Sequence, residues 1–125
     1  MGHVVVRAVV RGKGEYVGEF IVDTGAAFTV LPLELAEKVL YETPFTVELK
    51  LGDGRRVRAR VFVGEVEIED RKGPVRILAF PGAQPVIGVD TLETLGLKVN
   101  PITGKLEKTE YYMLFVQYTL TTSSC

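Results

Sequence analysis

Short strand-like runs separated by turn residues are the feature of this chain that most constrains its fold. Valine-rich residues 3–10 and residues 16–22 flank a glycine-containing turn, which predicts an antiparallel hairpin. Because many such runs follow one another, the chain is predicted to be mostly β. Further strands are predicted at residues 28–31, 65–69, 75–80 (after a turn at 70–74) and 86–89, with a small hairpin at 97–99 and 105–107.

A second hairpin is predicted in the middle of the chain. Residues 45–51 alternate apolar and polar side chains, which places one face of the strand against a core. The tight-turn signal Gly52-Asp53-Gly54 follows, since Asp-Gly readily adopts the positive φ that hairpin turns require. The return strand is predicted at residues 55–63.

Only two segments have helical character. Residues 32–40 begin with proline and place apolar residues at helical spacing, which predicts about two turns of helix. Residues 90–95 are predicted to form a second short helix that begins at Asp90 as its N-cap and ends at Gly96.

The length and charge of the chain argue against several classes of protein. Its 125 residues predict one domain with a modest core, and the formal net charge of -1 gives no electrostatic case for binding nucleic acid or an anionic membrane. No apolar run approaches the roughly 18 residues that a membrane-spanning helix requires. Residues 1–7 lack the basic lead and cleavage site of a signal peptide and are predicted to enter the first strand.

Cysteine and histidine are too scarce for the common disulfide and metal sites. Cys125 is the only cysteine and His3 the only histidine, so neither an intrachain disulfide nor a zinc site of the usual ligands is expected. A Cys–His nucleophilic pair would require the two ends of the chain to meet. We therefore expect no metal, no cofactor and a reducing, cytoplasmic location.

The turn after the second predicted strand has the clearest chemical signal. Asp23 stands at the end of an apolar run and is followed by Thr24, Gly25, Ala26 and Ala27. Glycine lets the backbone approach closely at a sharp turn, Thr24 is expected to hydrogen-bond across the seam, and the alanines leave room for a ligand backbone. On these residues alone, an ordinary type I turn with aspartate at its first position is the alternative.

Three separated segments together resemble the retropepsin-like family of aspartic proteases, the retroviral type of clan AA. Asp23-Thr24-Gly25-Ala26 followed by Phe28-Thr29-Val30-Leu31 is similar to the family's active-site signature. Val86-Ile87-Gly88-Val89 is similar to its second element, which in the family threads behind the active-site loop and leads into a helix. The hairpin with Gly52-Asp53-Gly54 lies where the family has its flap. Order and spacing agree over residues 4–107.

The resemblance implies a fold and a function. The implied fold is mostly β, a single-lobe closed β-barrel with one or two short helices and a flap hairpin. The implied function is an aspartic endopeptidase that activates water by general acid–base catalysis, with Asp23 as the catalytic residue. Since the chain has one Asp-Thr-Gly, the second carboxylate is expected from Asp23 of another copy in a two-fold homodimer. Asp90 is the other candidate, but its position is typical of a helix N-cap.

The same resemblance assigns supporting roles to other residues. Those expected to support the active-site loop are Thr24, Gly25 and Ala26, and those expected to support it from the second element are Ile87 and Gly88. Those expected to contact an extended polypeptide substrate are Ala27, Gly52, Asp53 and Gly54. The alternative function is a catalytically silent module of this fold that binds peptide or dimerises.

The chain departs from the family pattern at residue 89, in its flap, which lacks a glycine-rich run, and in residues 111–125, and a run of arginines raises a different function. Val89 stands where retroviral enzymes carry arginine or a similar anchor, so the dimer is expected to be braced differently. Residues 1–110 are assigned to the protease domain, and residues 111–125 either to a strand at the dimer interface or to a loosely ordered tail. Four arginines between residues 55 and 60 raise the alternative of nucleic-acid binding, but without interleaved aromatic residues a solvated strand face is favoured.

Overall fold

A computed structural model describes residues 4–109 of the chain. The strands are β1 (Val4–Arg11), β2 (Glu15–Val22), β3 (Thr29–Pro32), β4 (Tyr41–Lys50), β5 (Arg56–Ile68), β6 (Arg71–Phe80), β7 (Val86–Ile87), β8 (Leu97–Val99) and β9 (Leu106–Lys108). The helices are α1 (Leu33–Val39) and α2 (Val89–Leu95). The segment predicted as a strand or tail, residues 111–125, lies outside the described residues.

Six of the strands close into a ring. The order in the large sheet is β1-β2-β7-β3-β6-β5-β4, and an additional pairing of β1 with β5 joins the two sides. β4 lies outside this ring and pairs with β5, while β8 and β9 form a separate two-stranded sheet. The predicted mostly β fold with two short helices is therefore confirmed, and the closed arrangement takes the form of a six-stranded ring.

Both predicted hairpins are present. β1 and β2 pair in antiparallel register from Val4 opposite Val22 to Arg11 opposite Glu15. β4 and β5 form the flap hairpin, in which Lys50 lies opposite Arg56 across the turn. Alternation of side chains decides which face of each strand enters the core, as the two-residue period of the sequence predicts.

The boundary between β5 and β6 differs from the prediction. β5 is one continuous strand to Ile68, and β6 begins at Arg71, so the turn lies at residues 69 and 70 rather than at 70–74. Pro74 is accommodated inside β6 because this end of the strand pairs only with β5 among the described residues, which leaves one edge without a need for an N–H donor. Glu69 makes the turn with a φ of 57°.

Helix α2 also begins earlier than predicted. Its N-cap is Gly88, and Asp90 lies within the first turn rather than at the cap. The reason is tertiary, because the backbone N–H groups of Val89 and Asp90 donate to carbonyl oxygens of Ala26 and Ala27. The helix ends as predicted at Gly96, which has the left-handed φ of 66° that favours glycine.

Two groups of buried side chains stabilise this arrangement. The larger fills the ring and includes Phe20, Phe62 and Ile77, all almost fully buried. The smaller, centred on Ala59 and Leu78, packs the flap hairpin against the sheet. Within residues 4–109, neither helix has the length and apolar character to cross a membrane.

Candidate active site

Asp23 lies directly after β2, at the start of a tight turn. Its backbone N–H donates to the carbonyl oxygen of Ile87 at 3.0 Å, and its own carbonyl accepts from Ala26 at 3.0 Å. Its carboxylate oxygen Oδ1 accepts from the backbone N–H of Gly25 at 2.9 Å. An aspartate that bonds the amide two residues ahead stabilises such a turn. The carboxylate is therefore held in place while the side chain remains partly exposed.

Strand β7 lies behind the loop of residues 23–28, called the active-site loop below, and holds it in place. It lies between β2 and β3, with Val22 opposite Ile87 in parallel register and Val30 opposite Val86 in antiparallel register. The loop that carries Asp23 connects these two strands, so both of its ends are tied to the same short segment. The family resemblance implies that this second element threads behind the loop, and in the structure β7 lies there.

Gly88 is required by a close approach to the active-site loop. A Cβ atom at this position would lie 2.4 Å from the carbonyl oxygen of Phe28, far inside van der Waals contact. The backbone N–H of Gly88 donates to Oγ1 of Thr29 at 3.0 Å. Its φ of -96° is open to any residue, so it is the missing side chain rather than backbone freedom that matters here.

A buried hydroxyl pair, not anticipated from the sequence, lies behind the loop. Thr29 and Thr91 are both fully buried, and their Oγ1 atoms are 2.5 Å apart. Oδ1 of Asp90 accepts from the backbone N–H of Thr91 at 2.7 Å and from the hydroxyl of Thr29 at 3.4 Å. Burial raises the pKa of the Asp90 carboxyl above its ordinary value, although these hydrogen bonds and the charge of Arg76 oppose the shift.

A cleft of about 610 Å³ lies between the active-site loop and the flap. The predicted site residues that line it are Asp23, Gly25, Ala26, Ala27 and Gly52. Those that do not line it are Thr24, Asp53, Gly54, Ile87 and Gly88. Of these, Ile87 and Gly88 are buried behind the loop, and Thr24 is exposed beside it.

Most of the apolar lining was not identified from the sequence. The apolar side chains that line the cleft, apart from the alanines, include Phe28, Val30, Leu49, Phe80 and Val86. Two of them, Phe28 and Val30, belong to the active-site signature itself, and Leu49 is one of the apolar positions of the alternating flap strand. The alternation was the available signal, but it does not tell which apolar residues face a cleft and which face a core.

The flap tip is a closed turn. The backbone N–H of Leu51 donates to the carbonyl oxygen of Arg55 at 2.7 Å, and that of Gly54 donates to Leu51 at 2.9 Å. Gly54 has a φ of 91°, which favours glycine. The carboxylate of Asp53 accepts from the backbone N–H and from Nε of Arg55, and these bonds lower its pKa. Asp53 thus stabilises the tip through Arg55, and it is not among the residues that line the cleft.

Within the described residues, Asp23 is the one carboxylate that lines the cleft. Asp90 is the other candidate by sequence, but its carboxylate bonds Thr29 and Thr91 on the far side of the loop. One chain therefore presents a single carboxylate to this cleft from its described residues. The same part of the chain has no group of three or more His, Cys, Asp or Glu residues arranged to hold a metal.

The arginines of the flap hairpin bond to neighbouring side chains. Arg60 forms a two-pronged ion pair with Glu42 at 2.6 Å for both contacts, and it also contacts Glu37 at 3.0 Å. The other contacts are Arg55 with Asp53, Arg56 with Glu48, and Arg58 with Oγ1 of Thr46. This arrangement supports the interpretation of a solvated strand face.

Comparison with models of protein families gives a match that covers most of the chain. A family model described as aspartyl protease, of the retropepsin-like clan, covers residues 6–97, from β1 to the first residue of β8. That range includes the active-site loop, the flap and the segment that runs behind the loop. No curated protein was found to match the chain.

Proposed function

This chain belongs to the aspartyl protease family, and we propose that it is an aspartic endopeptidase whose active site is completed by two copies of Asp23 in a homodimer. The observation that carries the proposal is that, among the described residues, Asp23 is the one carboxylate at the floor of the cleft. It is fixed by Gly25, partly exposed and placed beneath the flap. A carboxylate held in this way can pair with the same carboxylate of a second copy across a two-fold axis.

The proposed chemistry follows from placing two carboxylates side by side. Two such groups within hydrogen-bonding distance cannot both ionise, so the pair shares one proton. The ionised member accepts a proton from a water molecule, whose oxygen attacks the scissile carbonyl carbon, while the protonated member donates to the carbonyl oxygen. Proton transfer to the leaving nitrogen then allows the C–N bond to break. The titration belongs to the pair rather than to either Asp23.

The lining of the cleft supports the proposal that the substrate is an extended polypeptide. Its floor is backbone and small side chains at Gly25, Ala26 and Ala27, which leaves room for a main chain to lie close to Asp23. The walls are apolar side chains such as Val30 and Leu49, which suits apolar substrate residues. We propose no nucleic-acid partner, because the flap arginines bond to neighbouring acidic or hydroxyl groups.

The homodimer is proposed on the chemistry of the incomplete site. Thr24 is exposed directly beside Asp23, where a second copy would approach. A two-fold arrangement brings the same loop from each copy to one axis, so Asp23 supplies both halves of the pair.

We also propose a cytoplasmic location. The chain has a single cysteine and therefore cannot form an intrachain disulfide, so it does not need an oxidising compartment.

The experiment that tests the function is peptide cleavage across pH. The wild type should cleave peptides of an extended library, and its rate should have a bell-shaped dependence on pH, because the shared-proton pair needs one ionised and one protonated carboxyl. Asp23→Asn should abolish cleavage. Asp70→Asn is the matched control, because Asp70 lies in the distant turn between β5 and β6 and pairs with Lys108. Cleavage that survives Asp23→Asn would exclude this mechanism. A wild type that binds peptide but cleaves none at any pH would instead support the catalytically silent module.

A further inference from the structure

We propose that Asp90 is a positioning residue, which orients the buried hydroxyls of Thr29 and Thr91 and thereby seats the loop that carries Asp23. The inference deepens the proposed function and depends on it for its catalytic readout. Asp90 lies behind the loop rather than in the cleft, so its role would be exerted through its neighbours.

The direction of each proton in this cluster follows from what each group can donate. Oγ1 of Thr29 has one proton and two acceptor positions. The N–H of Gly88 can only donate, so it occupies one acceptor position. An ionised Asp90 can only accept, so the Thr29 proton is directed to it, at 3.4 Å. The hydroxyl of Thr91 then donates to the remaining acceptor position of Thr29.

Removal of the Asp90 carboxylate would leave this cluster short of one acceptor. The two hydroxyls could then bond each other in only one direction at a time, and one buried proton would lack a partner. An unpaired buried donor is costly, and the surrounding backbone is expected to shift so that it reaches water. In the described part of the chain, the hydrogen bonds of the two hydroxyls are those with Asp90, with the N–H of Gly88 and with each other.

The cluster is coupled to the active-site loop by backbone hydrogen bonds. The N–H of Val89 donates to the carbonyl oxygen of Ala26 at 2.8 Å, and that of Asp90 donates to Ala27 at 3.3 Å. Both acceptors lie within four residues of Asp23 in the same loop. A shift of the segment that contains Asp90 therefore moves the loop, and small errors in the placement of a catalytic group reduce turnover strongly.

The first test compares two substitutions at Asp90. Asp90→Ala removes the acceptor and should lower kcat about tenfold to a hundredfold with little change in KM. Asp90→Asn keeps an acceptor oxygen in the same place and should restore most of kcat. The matched control is Glu93→Gln, which removes an exposed carboxylate from the same helix and should change neither constant.

A second substitution separates the position of the acceptor from its charge. Asp90→Glu keeps the charge but displaces the acceptor, so it should lower kcat much as Asp90→Ala does. This variant also keeps the test open if Asp90→Ala fails to fold. Full activity in Asp90→Glu, or equal losses in Asp90→Asn and Asp90→Ala, would overturn the proposal.

Amide hydrogen exchange gives a readout that needs no turnover. Exchange at residues 23–27 should accelerate in Asp90→Ala relative to the wild type and to Asp90→Asn, while exchange in β5 stays unchanged. If the wild type does not cleave peptide, the proposed function fails but this measurement still tests the coupling. Wild-type exchange in the loop of Asp90→Ala would overturn the inference, whether or not the protein is an active protease.

Discussion

The hydroxyl of Thr29 accepts a hydrogen bond from the backbone N–H of Gly88 at 3.0 Å, across 59 positions of the sequence. Both groups are buried, so water does not compete for the bond. This contact joins the strand that leaves the active-site loop to the segment that runs behind it. The placement of Asp23 therefore depends on a part of the chain that is remote in sequence, and the following predictions test that dependence and the proposed chemistry.

Gly88→Ala should destabilise the protein, because the added Cβ would lie 2.4 Å from the carbonyl oxygen of Phe28. Backbone on both sides must shift, which corresponds to a loss of about 1 to 3 kcal/mol in the free energy of unfolding. Urea denaturation measures the loss. Gly52→Ala is the control, since nothing lies within 4 Å of its added Cβ, and its effect should stay within about 0.5 kcal/mol. Equal stability of the two variants would contradict the close contact.

Chains with Asp23→Asn should lower the activity of wild-type chains when the two are refolded together. With equal amounts and random pairing, about half of the wild-type chains enter mixed dimers that have one carboxylate, so activity per wild-type chain should fall to about half. The measurement is the initial rate of peptide cleavage at fixed wild-type concentration, with an unrelated protein added as the control. An unchanged rate would mean that one chain suffices, and the homodimer proposal would fail.

The ion pair of Glu42 and Arg60 should contribute to stability in a pH-dependent way. The two-pronged hydrogen bonding of Arg60 lowers the pKa of Glu42 below its usual 4.5. Because the folded pKa is below the unfolded one, the stabilisation is present above about pH 4.5 and is lost as the pH falls through the folded value. The stability difference between the wild type and Glu42→Gln should therefore shrink as the pH falls below that point.

Chemical denaturation at a series of pH values measures this effect. Glu48→Gln is a matched control on the same strand, because its contact with Arg56 is a single one at 3.5 Å. Screening makes both effects small, since the side chains are exposed, and added salt should reduce them. A Glu42→Gln difference that grows as the pH falls would contradict the assignment.

Leu49→Ala should change which substrates are preferred. Leu49 lines the cleft on the flap side, and truncation enlarges the space available to a substrate side chain. The ratio of kcat/KM for a peptide with a bulky apolar residue to that for a peptide with a small one should rise about tenfold or more, because a change of one methylene in an apolar pocket is worth about 1 to 3 kcal/mol. Val63→Ala, on the same hairpin but exposed and outside this cleft, should leave the ratio unchanged. An unchanged ratio in Leu49→Ala would place substrate elsewhere.

Local sequence patterns were sufficient to predict most of the fold. Alternation and turn residues predicted both hairpins, because each is formed by neighbours in sequence whose side chains and turn geometry agree. The errors occurred where tertiary contacts decide a boundary. The sequence predicts Pro74 in a turn, whereas the edge of β6 accommodates it. It also predicts Asp90 as an N-cap, whereas α2 begins at Val89 with Gly88 as its N-cap.

Much of the candidate site was identified from the resemblance, but its geometry was not. The sequence identified Asp23 and the segment with Ile87 and Gly88, and the structure has the backbone of that segment bonded to the active-site loop. It did not identify Thr29 or Thr91 as a buried pair, because a threonine in a strand or helix has no local signal that shows what lies across from it. The roles of the flap tip and of Thr24 toward a substrate or a second copy stay predictions.

The sequence by itself determined that the chain is mostly β, that it has a single Asp-Thr-Gly, and which segments form its hairpins. Those properties depend on residue type and on spacing over a few positions, which a linear pattern records. Only the tertiary structure decided that Asp23 lines the cleft while Asp90 bonds Thr29 behind it. Two aspartates become chemically different because burial and hydrogen-bond partners, not residue type, determine whether a carboxylate faces a cleft or supports a loop.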